Sequence, residues 1–261
     1  MTKRFCLVIG LGACLALAGC QSGPSSSAPD RTAEQERALA VERRAGFLEG
    51  LLDGRHTAAR LINDLAAALP ERVRLTEGVY ESAVVRVKGH APSNHLIADY
   101  IARLGRSSVL TEVTLQSSVQ KSSRGGEYQE FALRASVGDP GGGEPETPGP
   151  PAARLEELEK LLPARQETVE MLREFQMLAL GSGLQMTKFA LGKEIPGEFY
   201  AAWPVAIELA GSQAGLGRYF NDLAGSRRLW LVEKFSFKVV SPQEARSPLR
   251  VSIMARTYLN Q

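Results

Sequence analysis

The side chains that could carry chemistry are few in this sequence, and their spacing suits none of the common sites. Cys6, Cys14 and Cys20 all lie within the first twenty residues, so the rest of the chain can form neither a disulfide framework nor a thiolate metal site. The histidines are His56, His90 and His95, with no HExxH spacing, and His90 and His95 flank a helix start, where surface residues are common. Glu77, Glu81, Asp99 and Glu112 could supply a carboxylate pair for proton transfer. Their neighbours place them instead on strand edges, in turns or on a polar helix face, with no apolar pocket to perturb them. There is no GxSxG nucleophile elbow and no GxxxxGK[ST] phosphate loop, and the glycines at 181 and 183 read as a helix terminator. Trp203 and Trp230 border strands, where packing is the ordinary role of indole. The sequence therefore predicts no enzyme activity, no metal and no cofactor.

The elements around these residues have ordinary globular composition, 44% hydrophobic and 23% charged over 261 residues. A formal charge of +2, from 31 basic and 29 acidic residues, is too small to mark a nucleic-acid partner. The one long apolar run, Phe5 to Ala18, is shorter than the ~20 residues a spanning helix needs, which excludes a multipass membrane protein. Lys3 and Arg4 precede that run and LAGC at 17–20 ends it, giving the charged, apolar and small-residue regions of an export signal. LAGC resembles the lipobox of bacterial lipoproteins, in which the thiol is acylated and the chain is cut before it. An ordinary signal cut elsewhere and an uncleaved short anchor are the alternatives. The expectation is a signal peptide at 1–20, Cys20 as the lipid-bearing mature N-terminus, and a formally neutral exported chain held to a membrane by several acyl chains.

Residues 21–32 are rich in Ser, Pro and Gly and read as a flexible tether. Beyond them Val41, Leu48, Leu51, Ala58, Ile62, Leu65 and Leu69 recur at helical steps up to Pro70, predicting one long helix or two joined near Gly54. A helical stalk is assigned to 33–57. Arg44 and Arg55 fall where a coiled-coil seam wants apolar residues. After Pro70 the period changes to two, with strands around Val73–Leu75 and Ala83–Val87 and a hairpin expected across Gly78 to Ser82. A helix from Ser93–Asn94 to Gly105 and two further strands, through Leu115 and Leu133, complete the unit 58–137. Residues 138–151, GDPGGGEPETPGPP, read as an interdomain linker. The unit 152–261 then repeats the order: helix to Gly181, strands at 184–191 and 205–209, a helix through Leu216 and Leu223, and strands at 231–239 and 251–255. Each αββ piece can form a two-layer structure only by joining another, which predicts two α+β domains, each a four-stranded sheet under two helices.

The first unit resembles the PilN family through LINDLAAALPERVRLTEGVYES at 61–82, VVRVKGHAPSNHLIADYIARLGRSSVLTEVTL at 84–115 and YQEFALRASV at 128–137. The second resembles the PilO family through LLPARQETVEMLREFQMLALGSGLQMTKFAL at 161–191, FYAAWPVAIELAGSQAGLGRYFNDLAG at 199–225, RLWLVEKFSFKVV at 228–240 and RVSIMARTYLN at 250–260. The resemblance implies an α+β protein of two circularly permuted ferredoxin-like domains, each (αββ)2, behind the helical stalk. It implies a scaffold of a type IV pilus alignment subcomplex, or of the related type II secretion proteins GspL and GspM. The implied location is periplasmic, lipid-anchored to the inner or outer membrane, and the implied partners are pilus or secretion machine proteins: a PilP-like lipoprotein, pilin and secretin-linked components. Three departures from the families are the fusion of both domains, a lipobox in place of a transmembrane helix, and no cytoplasmic segment ahead of it to meet a PilM-like partner. A cell-envelope lipoprotein that binds a small ligand or peptidoglycan is the alternative, and it requires a concave apolar pocket with convergent polar groups.

Edge strands of such sheets recruit other strands unless charges or bulges block them. The fused domains are therefore expected either to pack on one another within the chain or to exchange in a homodimer. The apolar strip Phe47, Leu48, Leu51 and Leu52 on the stalk is the candidate for a second, helical contact, with packing onto its own domain as the alternative. For the anchor, mass spectrometry of membrane-extracted protein should find an acylated N-terminal cysteine at Cys20, and Cys20→Ser should release the protein or leave its precursor uncut.

Overall fold

The computed structural model describes residues 28–123, 126–138, 150–163, 168–240 and 249–260. The expected signal peptide with Cys20, most of the tether and most of the 138–151 linker lie outside the described residues. Met1–Ala38 is one unit and Leu39–Gln261 a second, compact one. Helix α1 (Ala28–Arg55) starts within the stretch read as tether. It is broken from α2 (Thr57–Ala67) at His56, close to the predicted joint at Gly54, glycine being the weakest helix former nearby.

The first half continues with β1 (Arg74–Glu81), β2 (Val84–Ala91), α3 (Asn94–Leu104), β3 (Leu110–Ser123) and β4 (Gly126–Val137). The second half follows a short α4 (Pro151–Glu159) with α5 (Thr168–Gly181), β5 (Gln185–Leu191), β6 (Tyr200–Gly211), α6 (Gln213–Ala224), β7 (Leu231–Val239) and β8 (Leu249–Asn260). Strand alternation sets the inner face. Val85, Val87 and Ala91 of β2 and Phe131, Leu133 and Ala135 of β4 are buried, as are Val205, Ile207 and Leu209 of β6 and Val251, Ile253 and Ala255 of β8. The apolar stripes of the helices close over them: Leu61 and Leu65 of α2, Ile97, Tyr100 and Leu104 of α3, Met171 and Phe175 of α5, and Leu216, Tyr219 and Phe220 of α6. Ser212 caps α6 by accepting the Gly215 N–H at 3.1 Å.

Instead of the two separate four-stranded sheets expected, the strands form one antiparallel sheet of eight in the order β3-β4-β2-β1-β7-β8-β6-β5. Both halves contribute their strands in the same sequence, third, fourth, second, first, so the repeat read in the sequence is repeated in space. The join is β1 against β7, each an edge of its own half, and one cluster of buried residues runs through both halves. The hairpin between β1 and β2 turns at Ser82 and Ala83, whose φ values of 53° and 57° are left-handed at both central positions. Gly78, expected in that turn, lies inside β1. Its role is to admit the ring of Phe237 from β7, since a Cβ there would stand 2.3 Å from Phe237 Cε1.

Strand β6 begins at Tyr200, earlier than the expected Val205, and runs through Pro204. Regular pairing with β5 ends at Leu191 opposite Val205; beyond it Gly192 donates to the Pro204 carbonyl at 2.8 Å and Ile195 forms a bridge with Ala202, so the proline, which has no N–H to give, sits where the ladder becomes irregular.

Because the Phe237 ring fills the space over Gly78, Gly78→Ala should lower stability by about 1–3 kcal/mol, the usual cost of overpacking. Chemical denaturation reads the loss. In a double-mutant cycle Phe237→Ala should relieve part of it, whereas strict additivity would show that the ring and the glycine are not coupled.

Candidate functional site

The two halves meet in an interface built within the chain. Along β1 and β7 the register pairs Glu77 with Lys238, Gly78 with Phe237, Val79 with Ser236, Tyr80 with Phe235 and Glu81 with Lys234. One strand places glutamates at both ends of the pairing and the other places lysines opposite them; Lys234 Nζ donates to Glu81 at 2.8 Å, and Lys88 of β2 donates to Glu77 at 3.2 Å. Opposite charges facing across strands favour this register, and between them the rings of Tyr80 and Phe235 lie 5.4 Å apart on the buried face. Exposure limits the ion pairs to a modest share of the energy, leaving backbone pairing and ring burial as the main terms.

Above the seam α2 lies against α6. Asn63 and Asn221 exchange amide hydrogen bonds of 2.9 and 3.4 Å, and Gly217 faces Asn63 and Ile62. Arg55 donates from Nε to the carbonyl of Ala224 and at 3.0 Å to that of Ser226, so a cation satisfies carbonyls at the C-terminal end of α6. Burial lowers the pKa of Arg55. The same low-dielectric setting, with Arg55 and Arg60 adding repulsion, lowers that of His56.

The stalk strip is engaged in the same way. Leu48 is fully buried with Ala45 in a second cluster containing Leu155, Tyr200, Ala202, Leu229 and Tyr258, while Leu51 and Leu52 pack half-buried against it. Phe47 remains 38% exposed and contacts Tyr200 and Tyr258 with ring separations of 6.1 and 5.6 Å. Tyr200, Ala202 and Tyr258 belong to the sheet face away from Val205 and Ile253, so α1 and α4 cover one end of the second face. The strip expected as a contact between molecules is thus occupied inside the chain, because the apolar end of β6 and β8 needs covering. Arg44 donates to Glu159 at 2.9 Å and lies 5.2 Å from the Tyr200 ring centre; Tyr200 Oη donates to Glu159 at 2.9 Å, and Arg154 pairs with Glu49 at 2.7 Å. Burial, then the hydrogen bond to Glu159, raises the Tyr200 pKa.

The carboxylates, histidines and tryptophans that could carry chemistry are dispersed. Asp99 pairs with Arg103 at 2.8 Å and Glu112 accepts from Ser136 at 3.0 Å, while Glu77 and Glu81 serve the seam. His90 packs on Tyr128 with ring centres 4.6 Å apart; burial lowers its pKa against the pull of Glu130. Trp230 is buried against Phe175, and Trp203 donates to the carbonyl of Gly192. Among the described residues no three His, Cys, Asp or Glu side chains converge on a metal position. A concavity of about 420 Å³ on the first half's open sheet face includes Glu77, Val79, Arg86 and Lys88 in its lining, and its Glu77 and Lys88 satisfy one another. Arg44 and Arg55 are the interface residues that sequence reasoning missed. Their signal was present, as cations interrupting an apolar helical stripe.

These features define a class of protein whose organised surface is a packed junction between two like α+β halves. Residues 60–137 match the model of the fimbrial assembly protein PilN, and residues 167–261 match that of the type IVa pilus alignment subcomplex PilO C-terminal domain. The chain therefore carries a PilN domain and a PilO C-terminal domain in one polypeptide and belongs with the type IV pilus alignment subcomplex proteins. It is 31% identical over 97 residues to the type IV pilus inner membrane component PilO of Pseudomonas aeruginosa, covering 37% of this chain and 46% of that protein, so it spans about half the length of that relative. A crystal structure of the type 4 fimbrial biogenesis protein PilO from Pseudomonas aeruginosa aligns at 29% identity and TM-score 0.36, over 42% of this chain and 87% of that one. The core region of PilO from the same organism aligns at 28% identity and TM-score 0.32, over 35% of this chain and 92% of that one.

Truncating the docked strip tests its place. Leu48→Ala should destabilise the protein by about 2–5 kcal/mol, the range for a fully buried leucine, while Phe47→Ala should cost less. Urea denaturation of both variants gives the comparison; equal, small losses would place Leu48 outside the core.

Proposed function

We propose that this protein is a non-catalytic scaffold of a type IV pilus assembly machine, in which the PilN-like and PilO-like parts act as one rigid body. The observation that carries this reading is the β1–β7 seam, where backbone pairing, matched charges and an aromatic contact join the two family domains into a single sheet. A scaffold has to hold geometry under load, and it needs no site of its own.

Each half is read as a circularly permuted ferredoxin-like unit. Moving its last strand ahead of its first helix turns αββαββ into βαββαβ, and the spatial order third, fourth, second, first becomes fourth, first, third, second. The location proposed is periplasmic, with lipid on Cys20 as the membrane attachment. Among the described residues no helix is long and apolar enough to cross a membrane. The curated relative is an inner membrane component by name, and the lipobox LAGC supplies an attachment that needs no span. Partners of this reading are pilus machine proteins: a PilP-like lipoprotein, pilin and secretin-linked components. A type II secretion-like machine is the nearest variant of it. The ligand-binding alternative is less well supported, since the concavity on the open sheet face already has its carboxylate and ammonium paired with each other.

Affinity purification of the tagged chain from native membranes, with identification of what co-purifies, tests the proposal. Pilin, a PilP-like lipoprotein or a secretin should be recovered. Recovery of peptidoglycan fragments without any of these would replace the scaffold by the ligand-binding reading.

A further inference from the structure

The seam inside the chain joins two kinds of edge, the first strand of one half (β1) and the third strand of the other (β7). One edge of each kind is left at the ends of the eight-stranded sheet: β5, the first strand of the second half, and β3, the third strand of the first half. The end at β5 also carries an apolar surface. Val169, Met177 and Leu180 of α5 are 63, 64 and 69% exposed and, with Arg173, follow one another at helical steps. From this equivalence we infer that copies of this chain join end to end, the α5/β5 end of one against the α3/β3 end of the next, by repeating the internal seam between molecules.

Matching the buried positions of equivalent helices supports this assignment. In α2, Leu61 and Leu65 are buried and Asn63, two positions past Leu61, meets α6. In α5, Phe175 and Ala179 are buried, and the residue two past Phe175 is Met177. The exposed stripe of α5 is therefore the counterpart of the α2 face that the internal seam covers.

On the other side, Gly217 and Asn221 of α6 are one and five positions past buried Leu216. The same steps from buried Ile97 of α3 give Ala98 and Ala102, both exposed. Two small residues thus face outward where the bulkier Met177 and Leu180 of a neighbour would arrive. Leu115 of β3 is 46% exposed; it pairs with Leu133 as Phe235 of β7 pairs with Ile253, so it stands where Phe235 stands in the seam.

Bulges distort β3 between Thr111 and Ser117, a common guard on an edge, but from Ser117 to Ser123 its pairing with β4 is regular. That stretch is as long as the seven-residue β5. Because the two ends differ, the contact is heterologous: it leaves a free end on every assembly until a ring closes, and otherwise grows as a filament.

The test uses the full chain, purified in mild detergent, with Cys6, Cys14 and Cys20 changed to serine. Copies bearing Met177→Cys are mixed with copies bearing Ala98→Cys and treated with a short bis-maleimide. A cross-linked species of twice the chain mass should form in the mixture and not with either variant alone. A chain bearing both substitutions should give a ladder of higher multiples. Adding Met177→Glu and Leu180→Glu to the Ala98→Cys copies should leave cross-linking in the mixture intact, because those copies still offer their α3 end. Leu180→Glu placed in the Met177→Cys copies should abolish it, and both exposed substitutions should leave circular dichroism and Tm unchanged. Self-linking of Met177→Cys alone would mean a symmetric α5 contact, and no cross-link at 100 µM or so would mean no association; either result overturns the inference.

Discussion

The pairing of β1 with β7 is the interaction on which the rest of this structure depends. Each strand would otherwise be the edge of a small sheet, with a row of unpaired amide and carbonyl groups. Small domains bury a low fraction of their surface and are correspondingly marginal. Pairing the edges joins the two apolar layers into one cluster in which Tyr80 of β1 meets Phe235 of β7. The contacts above the strands follow from that register. With Gly78 beneath Phe237, α2 lies beside α6, and Arg55 comes within reach of the carbonyls at the end of α6.

The second constraint is the covering of the other sheet face. Tyr200 and Tyr258 project away from α2, α3, α5 and α6, and their apolar rings need a partner that keeps one polar atom satisfied. The later part of α1 meets this with Leu48, while Glu159 of α4 accepts from both Tyr200 and Arg44. Losing either donor would leave the part-buried Glu159 carboxylate less well satisfied, so its two contacts tie α1 and β6 to α4. The part of α1 from Val41 to Leu52 is in this way joined to the sheet by packing as well as by the covalent chain.

Much of this organisation was legible in the sequence because it is local. Period-two alternation at Val85 and Val87 and at Phe235 and Phe237 marks strands wherever the chain lies, and the apolar steps through Ile97 and Leu104 mark a helix. The repeated element order could be read for the same reason. What was not legible is non-local. Which edge meets which depends on residues 150 or more positions apart, such as Glu81 and Lys234, and either glutamate or lysine alone reads as a solvated charge. Gly78 reads locally as turn punctuation because the ring that requires it comes from the other half. The strip at Leu48 was visible as apolar surface, but its cover comes from residues beyond 150, so the sequence could not say whether the partner was this chain or another.

The arrangement also explains why no catalytic constellation is needed for the carboxylates to be well placed. Glu77, Glu81, Asp99, Glu159, Glu174 and Glu208 each have a cation within ion-pair distance, and the pairs with Lys234, Arg44 and Arg228 join elements that are distant in sequence. Each pair contributes little energy at the surface, but like charges in the same register would be repulsive, so the pattern discriminates against slipped alignments of the two halves. Charge here selects geometry: it sets which strands meet and in what register, while ring burial and backbone pairing supply the strength.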